Sequence, residues 1–139
     1  MVNMILPHVA FDLISYSCYD ATVIGGDQPP ELLRESLDYI ARHAIDSEFF
    51  GSKNVFIGEF GMPENDCDEQ AVKQVVQDAV ETGLAWGCPY IVYWQLYCNE
   101  PLAGAAVPSS GNDDSRGFWL IRADGTKPAV YDYFKDMLQ

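Results

Sequence analysis

Asn54-Val55-Phe56-Ile57-Gly58-Glu59-Phe60-Gly61-Met62-Pro63 is the stretch from which the rest of the chain can be read. Asn54–Ile57 is a short run of apolar, β-branched and aromatic residues, the composition of a buried strand. Gly58-Glu59-Phe60-Gly61 then sets one carboxylate between two glycines where that strand should end. A charge at such a place is costly to desolvate unless something pairs with it or uses it. On a regular strand Val55, Ile57 and Glu59 share one face, and Phe56, Gly58 and Phe60 the other. Glu59 therefore closes an apolar file at a strand's carboxyl end, the end at which α/β folds gather their sites.

Outward from this strand the pattern repeats. Phe11–Tyr19 (FDLISYSCY) reads as an earlier strand and Tyr90–Tyr97 (YIVYWQLY) as a later one, apolar on both faces like a strand covered by helices. Between the first two, Pro29-Pro30 opens a helix with Leu33, Leu37, Ile40, Ala41 and Ala44 on one face, fraying by Phe50-Gly51. Between the second and third, Asn65–Asp68 offers N-caps to a helix carrying Val72, Val75, Val76, Ala79, Val80 and Leu84, ended by Gly87 and Pro89. Gly25-Gly26 marks a loop, and Pro101–Arg116 is a long one of the kind that is usually functional or mobile. Phe118–Ile121 reads as a short extended piece and Ala123–Thr126 as a turn. Thr126 is placed to cap a last helix with Val130, Phe134, Met137 and Leu138 inward. Met1–Ala10 reads as the tail of a connection into the first strand. The order predicts an α/β fold of parallel strands with alternating helices, one domain over residues 1–139.

The chain of 139 residues is long enough for a real core but below the ~250 residues of a complete (β/α)8 barrel. Its formal net charge of −13 argues against a nucleic-acid or anionic-membrane partner and favours neutral or cationic ligands. No apolar run approaches the ~20 residues of a membrane span, and the amino terminus has no signal-peptide pattern, so a cytoplasmic site is expected if Met1 is the natural start. Cys18, Cys67, Cys88 and Cys98 lie far apart without a Cys-x-x-Cys pair. Free, mostly buried thiols fit this spacing better than a metal site shared by Cys18, Cys67 and Cys98.

Taken together, Asn54–Gly61 (NVFIGEFG), Tyr90–Tyr97 (YIVYWQLY) and Gly117–Phe134 (GFWLIRADGTKPAVYDYF) resemble the carboxyl-terminal part of the cellulase-like, clan A glycoside hydrolases. These are (β/α)8-barrel enzymes that cleave glycosidic bonds with retention. The resemblance implies the last three βα units of such a barrel, that is, a partial TIM barrel. It makes Glu59 the match of the nucleophile that ends the seventh strand. Trp94 matches the eighth-strand Trp that lines the subsite beside the scissile bond. Phe11–Asp20 resembles the sixth strand, so Tyr19 matches the Tyr that can hydrogen-bond the nucleophile. Ser17 stands where many relatives carry His. Ser17 and Gln95 fall on the substrate side.

Retaining cleavage needs two carboxyl groups about 5–5.5 Å apart. The family's acid/base ends the fourth strand, and this chain matches only from the sixth. Asn99-Glu100-Pro101 looks like the acid/base motif but follows Trp94, which makes Glu100 a weak candidate; Asp20 and Glu64 are weaker. The resemblance thus implies a nucleophile without its partner, an oligosaccharide or glycoside substrate with a β linkage, and neither metal nor organic cofactor. Unpaired strand edges and an open apolar face predict a homo-oligomer or union with a missing amino-terminal half. The alternative reading is a non-catalytic carbohydrate-binding or assembly module on a half-barrel. A flavodoxin-like phosphate binder is disfavoured because no Gly-rich loop follows the first strand.

Overall fold

In the computed structural model, described for residues 2–23, 28–102 and 112–139, three parallel strands form one sheet. They are β1 (Ile14–Ser17), β2 (Val55–Phe60) and β3 (Ile91–Tyr93), side by side in that order. Helix α1 (Val2–Ile5) precedes β1, α2 (Pro30–His43) links β1 to β2, α3 (Glu69–Trp86) links β2 to β3, and α4 (Ala129–Met137) closes the chain. The strand–helix alternation read from the sequence is therefore the fold, with β2 at the centre of the sheet. The Gly25-Gly26 loop and the middle of the loop after Pro101 lie outside the described residues.

The chain divides into two compact units. The first comprises Met1–Phe60 with Asp78–Val92, the second Gly61–Gln77 with Tyr93–Gln139. In the first unit, Val55 and Ile57 of β2 are buried, together with Leu33, Leu37 and Ile40 of α2 and Ala79 and Val80 of α3. Burial of this apolar set contributes about 1.5–3 kcal/mol per large side chain. Asp38 of α2 accepts the Trp86 indole N–H at 2.8 Å, and Lys53 lies 3.7 Å over the Trp86 ring.

Several elements differ from the sequence reading, each for a local reason. Leu84, assigned to the inner face of α3, is 58% exposed. Gly83 takes the inward place instead: a Cβ there would lie 2.8 Å from both Ile57 Cδ1 and Ile91 Cδ1, so its bare backbone lets the helix approach the strands. Helix α2 stops at His43 rather than fraying to Phe50, and a tight turn bridged by Ser47 and Gly51 follows. Residues 2–5, within the stretch read as the tail of a connection, form a single helical turn. Strands β1 and β3 are four and three residues long, less than half of the runs read as strands. Residues beyond their ends turn out of the ladder.

One face of the sheet is open at β3. Val92 is 47% and the adjoining Tyr90 53% exposed. The Tyr90 ring meets Phe56 edge-on at 6.0 Å, and Ser15 and Ser17 of β1 are exposed. These side chains occupy alternate positions along their strands, opposite to the helix-covered Val55 and Ile57.

In the second unit the core is Phe118, Trp119, Pro128 and Val130 with Val72 and Val76 of α3. Asp68 caps α3 by accepting the Gln70 N–H at 2.8 Å. Thr126 does not cap α4; its N–H and hydroxyl donate to Asp124 and close the turn before it, holding the Asp124 carboxyl below its ordinary range. The Ala129 N–H at the start of α4 is instead taken by the Glu69 carboxylate at 2.7 Å.

Candidate functional site

Glu59 owes its position to an irregularity in the ladder. Ile14, Ser15 and Tyr16 pair in register with Val55, Phe56 and Ile57, and then Ser17 pairs with Glu59. Two steps along β2 thus answer one step along β1, a bulge that leaves Gly58 as the extra residue. A Cβ at Gly58 would collide with the Ser15 hydroxyl, so glycine permits this close passage. The bulge breaks the alternation that the sequence reading extended through Glu59. Val55 and Ile57 enter the core, while Glu59 stays half-buried.

Two contacts from the segment after β1 then hold Glu59. The Cys18 N–H donates to the Glu59 carbonyl at 3.0 Å. The chain turns at once through a 3-10 turn, Tyr19–Ala21, secured by the Thr22 hydroxyl on the Cys18 carbonyl at 3.0 Å. This swings the Tyr19 phenol back so that it donates to Glu59 Oε1 at 2.9 Å. Tyr19 and Glu59, forty residues apart, are therefore brought together, anchored by backbone and side chain at the carboxyl end of the central strand. Asp20 is engaged nearby, accepting the Tyr16 hydroxyl at 2.7 Å. Burial, with Asp20 beside it, pushes the Tyr16 phenol well above its ordinary value.

Cys18 is fully buried, and burial pushes its thiol up to about 12; Cys88 is pushed up to about 11 by the same cause. Neither is a thiolate at neutral pH. In the second unit the Cys67 thiol faces the Pro63 carbonyl at 3.0 Å. Among the described residues no group of three or more His, Cys, Asp or Glu is arranged to hold a metal ion.

The second unit contains Trp94, Gln95 and Glu100. Trp94 directly follows β3 and is half-buried. Its indole N–H donates to Glu100 Oε1 at 2.7 Å, while Arg116 Nη1 holds Glu100 Oε2 at 2.7 Å. Gln95 donates to Asn99 Oδ1 at 2.9 Å, and its carbonyl accepts the Leu120 N–H at 3.0 Å. From the other side, Gly61 packs so closely on the Trp94 carbonyl that a Cβ there would collide with it. Backbone cannot yield as a side-chain tip can. Gly61→Ala is therefore expected to cost about 2 kcal/mol, seen as a lower melting temperature. An unchanged melting point would show that the Trp94 backbone moves freely.

Glu64 belongs to a different arrangement. Its carboxylate receives the Trp119 indole N–H and the Arg122 guanidinium, and Arg122 also reaches Glu69 at 2.7 Å. Hydrogen bonding to Glu64 holds the Arg122 guanidinium even more firmly protonated than usual. This cluster, and the Arg116 clamp on Glu100, were missed from the sequence; their members are separated by up to 58 residues and carry no local signature.

No family model matches the chain, and no curated protein is similar to it in sequence. Among solved structures, two of a GH5_18 glycoside hydrolase from Bifidobacterium longum subsp. longum are similar to it in fold. One is a Glu-to-Ala variant in complex with Manβ1-4GlcNAc. Each has a TM-score of 0.57 at 17% identity over 91% of this chain. The chain spans only 29% and 30% of the length of those two proteins. Its fold is accordingly that of part of a (β/α) barrel.

Proposed function

We propose that this chain is one partial-barrel domain over residues 1–139, the carboxyl-terminal part of a clan A, cellulase-like retaining glycoside hydrolase, with Glu59 as nucleophile. The observation that carries this reading is the Tyr19–Glu59 hydrogen bond at the carboxyl end of β2, fixed by the bulge and the Cys18 N–H. A nucleophilic carboxylate must be aimed before the sugar arrives. Here one oxygen is pinned by the phenol and the main chain is tied to β1. Trp94 supplies a flat aromatic face for sugar C–H groups, with Ser17 and Gln95 as polar contacts. The substrate class is a β-linked glycan or glycoside, in keeping with the disaccharide bound by the structurally similar hydrolase.

The acid/base is contributed by a further portion of barrel docked on the open face at Ser15, Ser17, Phe56, Tyr90 and Val92 and on the free edges of β1 and β3. The first choice for that portion is the amino-terminal half, the second another copy of this chain. The experiment is hydrolysis of a panel of activated aryl β-glycosides, with Glu59→Gln as the control. Hydrolysis that depends on Glu59 supports the enzyme. Sugar binding unchanged in Glu59→Gln with no turnover on any substrate supports the alternative, a non-catalytic carbohydrate-binding module.

A further inference from the structure

Glu100 is the acidic residue that the sequence motif points to most directly, yet both of its carboxylate oxygens are already engaged. Oε1 accepts the Trp94 indole N–H and Oε2 the Arg116 guanidinium, each at 2.7 Å. Arg116 is itself held in place. Its N–H donates to the Glu100 carbonyl at 2.9 Å, Ser115 pairs with Pro101, and the guanidinium lies 5.0 Å over the Phe118 ring. Phe118 is buried and packs beside Gly61, the residue whose bare backbone seats the Trp94 carbonyl. The Trp94 ring is thus gripped at its polar edge by an anchored ion pair, and its backbone is gripped by Gly61. Charge-assisted hydrogen bonds are about twice as strong as neutral ones and directional. A half-buried indole with one such bond at its only donor has lost most of its freedom to rotate about the side-chain torsions.

We infer that Glu100 is a positioning residue for Trp94: braced by Arg116, it fixes the plane of the indole against which a sugar ring stacks. The inference rests on the reading of Trp94 as a sugar platform and assigns Glu100 to substrate binding rather than to proton transfer. An ordered platform binds more tightly because less freedom is lost when the sugar arrives.

The test uses the full chain, 15N-labelled at tryptophan, titrated with Manβ1-4GlcNAc. The Trp94 indole resonance is identified by its absence in Trp94→Phe. Glu100→Ala is expected to weaken disaccharide binding about fivefold and to speed hydrogen exchange at the Trp94 indole N–H. Arg116→Met, which keeps the Trp94–Glu100 bond but removes its brace, should fall between. In the Trp94→Phe background, Glu100→Ala should cost nothing further, because phenylalanine has no N–H to hold. Should Glu100→Ala fail to fold, Glu100→Met serves the same comparison, keeping the side-chain bulk and removing the acceptor of the Trp94 indole N–H. Equal exchange and equal affinity in Glu100→Ala, with binding still lost in Trp94→Ala, overturn the positioning role alone. Full affinity in Trp94→Ala, or no binding by the unsubstituted chain, overturns the platform reading and the positioning role together.

Discussion

Replacing Glu59 by Gln is expected to lower aryl β-glycoside hydrolysis by at least about 10³-fold in any preparation of this chain that turns over. The amide has the size of the carboxylate and can still accept the Tyr19 hydroxyl, so the 2.9 Å contact and the bulge beneath it survive. What disappears is the anionic oxygen that would attack the anomeric carbon. A change confined to the reacting atom should appear in kcat, with the affinity for sugar nearly unchanged. Simple destabilisation would instead lower the melting temperature and reduce the active fraction on every substrate alike. A Glu59→Gln chain within tenfold of the original rate, folded to the same extent, would place the nucleophile elsewhere.

The second large effect falls on stability. Arg122→Met is expected to destabilise the fold by about 3 kcal/mol, a loss of roughly 10 °C in melting temperature. The Glu64 and Arg122 side chains are only 13% and 18% exposed. Removing the guanidinium therefore strands a carboxylate away from water and leaves Glu64 and Glu69 without the cation they share. Glu69, at 39% exposed, can turn outward, so most of the cost belongs to Glu64. The Trp119 indole N–H remains on Glu64, but one neutral donor does not offset a lost ion pair. Removing both charges, as Arg122→Met with Glu64→Leu, should recover much of the loss, because a packed apolar pair often equals or exceeds a buried ion pair. Thermal denaturation of the two variants decides the matter. An Arg122→Met chain with an unchanged midpoint would show that the cluster contributes nothing net.

The central strand was legible because its information is local. Val55 and Ile57 had to be buried, and a lone carboxylate between glycines had to end the strand. The inner face of α2 was legible for the same reason, since Leu33, Leu37 and Ile40 recur at one period and all enter the core, whereas Met137 and Leu138, read as inward on the last helix, are exposed. Leu84 misled because hydrophobicity alone cannot show that Gly83, not its apolar neighbour, faces Ile57 and Ile91. The short β1 and β3 misled because the apolar composition of their flanks serves other packing: Cys18 is buried after the ladder has ended, and Trp94 stands beyond it. Thr126 carried a helix-cap signature but found a nearer partner in Asp124. The Tyr19–Glu59 juxtaposition followed from resemblance rather than from pattern, and the bulge that aims it has no sequence mark other than Gly58. Arg122 and Arg116 carry no local signature, and only tertiary folding brings each to its carboxylate.

Covalent labelling tests the role of Glu59 most directly. A 2,4-dinitrophenyl 2-deoxy-2-fluoro-β-glycoside carries a leaving group that departs without protonation, so a nucleophile can be trapped even where the general acid is missing. The chain would be treated with the gluco and manno reagents, weighed intact, digested, and mapped. The account predicts a gain of one fluoroglycosyl group, located on Glu59 and absent from Glu59→Gln. A label on any other carboxylate, or no label from either reagent, would contradict it.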